Sequence, residues 1–330
     1  MMINCIEIDP FTKGGAYIVG TKYKSGDYKP YIYKTENYGK SWKLIVNGIG
    51  NESFTRALRA DPKRKGLLYA GTERGMYISF DDGKNWQTFK QNLPVVPITD
   101  LTIKEDNLIA ATQGRSLWII DDLTPLHQLS SSTLKEELVL YKPKDAYNMS
   151  GGRGRTSKTQ GTNHPGGVAI NYFVKEKGEK EVVSLSVFDA NDNLIKKYST
   201  KPNKKKKEET LKFKDGNNIF YWNMMYPGAE SVKGMILWWA SLNGPMALPG
   251  TYKVELAVND KKAHQNFNIL KNPLSEATEI DMKAQFDFIN EINKKMTEIH
   301  KALKNVKKIR SQVGLLKKSI KSFNRVFNSR

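Results

Sequence analysis

Ser79-Phe80-Asp81-Asp82-Gly83-Lys84-Asn85-Trp86 repeats, position for position, the earlier stretch Thr35-Glu36-Asn37-Tyr38-Gly39-Lys40-Ser41-Trp42. The shared pattern is Ser/Thr-x-Asp/Asn-x-Gly-x-polar-Trp, and Gly39 and Gly83 stand 44 residues apart. Working outward, a small residue followed by Thr precedes each box, at Gly20-Thr21 and Gly71-Thr72, and recurs at Ala111-Thr112. Aromatic positions follow at Tyr33, Tyr77 and Trp118, and Asp9-Pro10 matches Asp61-Pro62. The unit is therefore a repeat with a period in the low forties.

Alternating apolar and β-branched residues bounded by Gly, Asp-Pro and Asp-Gly place four short strands in the second unit. They are 55–60, 67–72, 76–80 and an outermost strand from Trp86 to Phe89. Four strands per period of forty-odd residues is the pattern of a β-propeller blade. Within the box, Asn37 and Asp81 are expected to accept backbone N–H groups of their own turns, Gly39 and Gly83 to supply positive φ, and Trp42 and Trp86 to plug the gap between strands. These six are read as structural, not catalytic.

The boxes resemble the bacterial neuraminidase (BNR, or Asp-box) repeat. The run LLYAGTERGMYISFDDGKNW, followed by NLPVVPITDL and LIAATQGRSLWIIDDLTPL, resembles the last blades of bacterial sortilin-like, xyloglucanase-like propeller proteins. Where that family usually carries Thr-His-Gly-Arg, this chain has Thr112-Gln113-Gly114-Arg115, so any role of that imidazole is absent. The third unit supplies strands at 98–104, 108–112 and 116–120 and then stops at Asp121-Asp122-Leu123-Thr124-Pro125. Two and three-quarter blades cannot close a ring and would leave sheet edges bare. The expectation is a C-terminal fragment whose missing blades lie upstream and are its first partner.

From 126 to 167 the sequence reads as a linker with a short helix, Thr133-x-x-Glu136 being a candidate capping box. Its Gly151-Gly152-Arg153-Gly154-Arg155 run fits no phosphate-binding spacing and reads as a flexible connector. Residues 168–272 show strand runs at 168–174, 182–189, 194–200, 218–222, 250–258 and 264–270, a spacing that suits an immunoglobulin-like β-sandwich. Asn218-x-x-Tyr221-Trp222-Asn223 with Leu248-Pro249-Gly250-Thr251-Tyr252-Lys253-Val254 resembles the small module of flagellar hook-capping proteins and the module that follows the propeller in the sortilin-like group. Trp238 and Trp239, with Met235, are either an aromatic sugar platform or core residues. The helical tail, 273–330, has no proline from Asp281 to Phe327. Ile289, Ile292, Met296, Ile299, Leu303 and Val306, then Val313, Leu316, Ile320 and Phe323 after an interruption at Arg310, mark a heptad seam. The tail is read as a coiled coil or, with Gly314 at the bend, a hairpin. The fold class is thus mainly β: about three propeller blades over 1–125, the linker, the sandwich, and the helical tail.

The 330 residues carry 39% hydrophobic and 10% aromatic side chains, enough for real cores. Fifty-three Lys and Arg against 34 Asp and Glu give a formal charge of +19. Lysine dominates and is spread along the chain, densest at Lys204–Lys207, without an interleaved aromatic strip. The excess is therefore read as a lysine-rich surface, not a nucleic-acid interface. Cys5 stands alone, so an intrachain disulfide and a Cys-based zinc site are excluded. His127, His164, His264 and His300 have no metal-ligand spacing, and no cofactor motif occurs. The opening MMINCIEIDP lacks a signal-peptide pattern, and no apolar run approaches the ~20 residues of a membrane helix.

Glycoside cleavage usually needs two carboxylates across the scissile bond. The resemblance implies that xyloglucanase-type aspartates come from two facing propellers, so part of one propeller supplies at most half a pair. Asp100, Asp121 and Asp122 are read as turn and blade residues, and catalytic residues are left unassigned. Arg56, Arg115, Trp238 and Trp239 form the candidate ligand rim, for polysaccharide or protein. The resemblance also implies an extracellular or periplasmic place for the intact protein. Two functions stay open: a glycan- or protein-binding scaffold segment, and part of a glycoside hydrolase whose aspartates lie mainly in the missing blades.

Overall fold

The computed structural model describes residues 1–149, 151, 165–176, 178, 181–203 and 207–327. Most of the Gly/Arg-rich run, His164, Lys204–Lys206 and the side chain of Phe323 fall outside the described residues. The chain is mainly β with one long C-terminal helix, and divides into two units, Met1–Leu129 and Ser130–Arg330.

The first unit holds three antiparallel meanders. Strands β1 (Met2–Ile8), β2 (Ala16–Lys22), β3 (Asp27–Thr35) and β4 (Lys43–Leu44) pair in chain order. So do β5 (Thr55–Ala60), β6 (Leu68–Thr72), β7 (Gly75–Ser79) and β8 (Gln87–Thr88). The third sheet has β9 (Ile98–Lys104), β10 (Asn107–Thr112) and β11 (Leu117–Ile120). The period-2 alternation explains how the sheets stack. In β6, Leu68 and Ala70 join Tyr17, Val19, Ile32 and Ile45 of the first sheet in one core. Tyr69, on the opposite face, joins Ile98, Leu101 and Leu108 of the third sheet in another. A sheet buried on both faces needs apolar residues throughout, and β6 and β7 are buried at every position.

The first turns of two sheets follow one design. Asp9 Oδ1 accepts the Phe11 N–H at 2.9 Å, and Asp61 Oδ1 accepts those of Lys63 and Arg64 at 2.8 and 2.9 Å. The intervening proline presets φ and has no N–H to satisfy. Helix α1 (Thr124–Gln128) closes the unit, with Pro125 in its first turn.

The second unit contains a three-stranded sheet, β12 (Leu138–Leu140), β14 (Val168–Val174) and β18 (Gly216–Trp222). Its six-stranded sheet runs β13 (Ala146–Tyr147), β20 (Lys261–Leu270), β19 (Gly250–Val258), β15 (Val183–Phe188), β16 (Leu194–Ser199) and β17 (Glu209–Thr210). Val168, Ile170, Tyr172 and Val174 from one sheet share a core with Val183, Leu185 and Val187 from the other. Trp222 is fully buried there, 5.8 Å from Tyr252 and 6.1 Å from Phe267 by ring centroid. The segment read as linker supplies β12 and β13. Each is short, and each pairs with a distant strand, β12 with β14 and β13 in parallel with β20. Its expected helix is a single 3-10 turn, Thr133–Lys135, in which the Ser130 and Thr133 side chains each accept the other's N–H.

Of the two forms read for the tail, the hairpin is not formed: α2 runs unbroken from Glu279 to Phe327 through Gly314. A mid-helix glycine costs only about 1 kcal/mol relative to alanine, and the lysines and leucines around Gly314 favour helix. Thr278 caps the start, its Oγ1 accepting the Asp281 N–H at 3.2 Å while the Asp281 carboxylate accepts the Thr278 N–H at 2.9 Å. Among the described residues no helix is long and apolar enough to cross a membrane.

Candidate functional site

The boxes come first because they hold the most conspicuous polar side chains. In the first, Thr35 Oγ1 accepts the Gly39 N–H at 3.0 Å and Asn37 Oδ1 accepts that of Ser41 at 3.0 Å. In the second, Ser79 Oγ accepts the Gly83 N–H and Asp81 Oδ1 that of Asn85, both at 2.9 Å. Tyr38 and Gly39, like Asp82 and Gly83, have φ between 58° and 78°, the paired left-handed geometry of a tight hairpin turn. Every oxygen expected to act in the turn does so. Burial pushes the Asp81 carboxyl up, but bonds from Asn85 and the Ser79 hydroxyl outweigh it and hold it below the ordinary 3.8.

The two tryptophans part company. Trp86 is 5% exposed and donates its Nε1–H to the Ile45 carbonyl at 2.9 Å, plugging the seam between two sheets, not between neighbouring strands. Trp42 is 41% exposed.

Two charged groups escaped the reading of the sequence. Glu7 on β1, Arg59 on β5 and Asp100 on β9 form a ladder across the first strands of all three sheets. Arg59 Nη1 lies 3.5 Å from Glu7, and its Nη2 lies 3.0 Å from Asp100. Burial raises the Glu7 carboxyl, against the Ala60 N–H and Arg59, which lower it. The second group pairs the His127 ring with the fully buried Asp61 carboxylate at 2.8 Å, tying α1 to the β5–β6 turn. Arg64, over the Phe80 ring, also bonds the Leu126 carbonyl. A shared strand position, the first of each unit, could have singled out the ladder. Nothing in the spacing of Asp61 and His127, 66 residues apart, signals the second pair.

The proposed rim residues have unequal surroundings. Arg56 is bound to Glu73 and lies over the Phe54 ring. Arg115 is exposed, its N–H bonded to Thr112 Oγ1 and its carbonyl accepting the Trp118 indole at 2.9 Å. Trp238 and Trp239 belong to the second unit and are 87% and 99% exposed, which overturns the core alternative. They project from a loop closed at its base by Ala229 N–H donating to the Leu242 carbonyl at 2.9 Å. One turn, at Lys233-Gly234, precedes them, and no strand lies between Trp222 and Gly250 to turn them inward. Among the described residues, no group of three or more His, Cys, Asp or Glu side chains is placed to hold a metal ion.

No protein-family model matches the chain, and no curated protein matches it. Among solved structures it is similar to the GH74 enzyme of Niastella koreensis, at 15% identity and a TM-score of 0.30, over 52% of this chain and 28% of that one. It is also similar to the GH74 xyloglucanase of Xanthomonas campestris, at 15% identity and 0.28, over 53% and 29%. A third is YCF48 bound to D1 peptide, at 16% identity and 0.25, over 59% and 53%. The chain thus spans less than a third of the two GH74 structures and about half of YCF48. Overlaps of this size assign no activity.

Proposed function

We propose that this chain is a binding and scaffold segment of an exported propeller protein, engaging polysaccharide or protein through an exposed rim and without a complete active site of its own. In this reading the three meanders are successive blades, the second unit is an immunoglobulin-like sandwich, and the helix is a coiled-coil element. The blade reading is supported by the repeated box and by cores shared between consecutive sheets. The exposed face of the first sheet, with Ile6, Ile8, Trp42 and Leu44, is where a further blade of the same protein would stack. Trp86 against Ile45 supplies the pattern for that contact.

The ligand reading is carried by one observation, the exposed pair Trp238 and Trp239. Flat aromatic faces held in water suit the C–H faces of a sugar ring or an apolar side chain. The second reading, part of a xyloglucanase-like hydrolase whose aspartates lie mainly in other blades, is favoured by Glu7, a carboxyl raised by burial. Arg59 between Glu7 and Asp100 argues for a tie between sheets instead.

Titrating the chain and its W238A/W239A variant against a glycan array and soluble β-glucans tests both readings. The variant should melt like the parent and bind at least about ten-fold more weakly, since contacts to an aromatic face are each worth on the order of 1 kcal/mol. Equal binding by the variant, or no glycan binding by the parent, removes the glycan rim. Hydrolysis of xyloglucan by the intact protein with its other blades, abolished by E7Q, would favour the second reading.

A further inference from the structure

Helix α2 has two faces with different surroundings. One holds the loop that carries the tryptophan pair: Asn293 Nδ2 donates to the Asn243 carbonyl at 3.0 Å, and Thr297 Oγ1 accepts the Glu230 N–H at 3.1 Å. Further along, the His300 ring meets the Glu230 carbonyl, and Lys304 Nζ lies 3.0 Å from its carboxylate. Bonds from Lys304 and Lys207 hold that carboxyl down at about 2. These residues recur every three or four positions and bury Asn293 and His300.

The other face is apolar and bare. Ile299, Leu303, Val306, Val313, Leu316 and Ile320 are all exposed, Val306 at 61% and Leu316 at 63%. With Ile309 they make seven apolar positions from 299 to 320, separated by steps that average 3.5 residues. At about 100° per residue, the centre of this stripe lies nearly opposite the centre of the loop-binding face, and Leu303 is its member nearest to that face. A 3.5-residue repeat is the signature of packing against another helix, because the seam drifts around a straight helix by roughly 20° per heptad and a wrapping partner follows it. A flat surface cannot follow that drift.

Charge selects among partner helices. Between Ile299 and Lys321 there are eight Lys and Arg and no Asp or Glu. A second copy of the chain would lay the same excess alongside, well inside the roughly 8 Å screening length at physiological salt. Lys304 is taken up by Glu230 on the loop-binding face, but at about 100° per residue Arg310, Lys317 and Lys321 flank the stripe, and an acidic helix would meet complementary charge there. We infer that residues 299–320 of α2 form a heterotypic coiled coil with an acidic, heptad-patterned helix of a partner protein.

The full chain is tested with two designed peptides of about four heptads, sharing an Ile/Leu seam and flanked by Glu in one and Lys in the other. The Glu peptide should bind at least about ten-fold more tightly than the Lys peptide, and the difference should shrink at about 0.5 M salt. The exposed-site variant L303D/V313D should abolish binding with the melting curve unchanged. The inference is overturned by equal affinity for both peptides, or by no binding to either. It is overturned equally by self-association in sedimentation, or by binding to vesicles of mixed anionic and zwitterionic lipid, in place of peptide binding.

Discussion

The two box hairpins share their internal bonds and one tie to their own sheet, Tyr38 N–H to the Gly14 carbonyl and Asp82 N–H to the Gly66 carbonyl, both at 2.9 Å, and differ in what they meet beyond that sheet. Around the second, Asp82 accepts the Tyr17 hydroxyl and the Lys34 ammonium, Asn85 accepts the Asn47 amide at 2.8 Å, and Trp86 is buried on Ile45. Around the first, the equivalent Tyr38, Ser41 and Trp42 are exposed. The turn is therefore made by four or five local residues and stands without a neighbour. The tryptophan gains its value only when a second sheet supplies a carbonyl acceptor and an apolar wall. One motif encodes two things, a local hairpin and a conditional contact between sheets.

Substituting the two tryptophans gives the widest separation. Trp86→Ala should destabilise the first unit by about 3–5 kcal/mol, as large buried aromatics do, whereas Trp42→Ala should cost under about 1 kcal/mol. Urea unfolding followed by far-UV dichroism reads both. A Trp42 effect as large as that of Trp86 would mean the first sheet's outer face is covered in solution, and the contrast would vanish.

Gly48 offers the next contrast. Its φ is 95°, and a Cβ there would stand 2.1 Å from the Trp86 carbonyl oxygen, a backbone atom with nowhere to move. Gly48→Ala should cost about 3 kcal/mol, while Asn92→Ala, at the matching and exposed position of the next sheet, should change stability by less than about 0.5 kcal/mol. Gly83 and Gly39 should separate less. Both have φ of 78°, but a Cβ on Gly83 would come within 2.5 Å of the Ile45 methyl, while one on Gly39 meets only Trp42 at 3.6 Å. Alanine at either pays the left-handed strain, about 1 kcal/mol. Gly83→Ala should add roughly another 1 kcal/mol from crowding a close-packed interface. Equal losses at the two glycines would show that Ile45 yields freely.

The strands of the first unit were legible because each carries its own alternation and turn residues: 55–60 and 98–104 were placed to the residue. The box geometry was legible for the same reason, its bonds spanning no more than four residues. What the sequence concealed depends on distant partners. Strands β12 and β13 have three and two residues and exist only through pairing with β14 and β20. Trp42 and Trp86 hold the same place in the same motif, so the motif could not tell which is buried. The ladder through Arg59 joins residues 41 and 52 positions away. At Gly314 a bend and a continuous helix were both open to the sequence, and the helix runs on because one weak position cannot offset many strong ones.

The smallest effect distinguishes the boxes by titration. Asp81 is held below 3.8 in the folded chain, so its contribution is fully present above the unfolded value. That contribution is lost as pH falls through the lower folded value. Asn37 in the first box carries no such dependence. Asp81→Asn alone would set two amide donors against each other, since Asn85 Nδ2 donates to Asp81 Oδ2 at 2.7 Å. In the first box, the partner of Asn37 Nδ2 is the Ser41 hydroxyl at 2.8 Å. The double variant D81N/N85S therefore transplants the first box into the second. It should cost about 1 kcal/mol near neutral pH, partly through the lost Asn47 contact, and should lose less stability than the parent between pH 5 and pH 3. Equal acid sensitivity in parent and variant would mean that the Asp81 carboxylate is no better solvated by its turn than by water, and the two boxes would then be electrostatically alike.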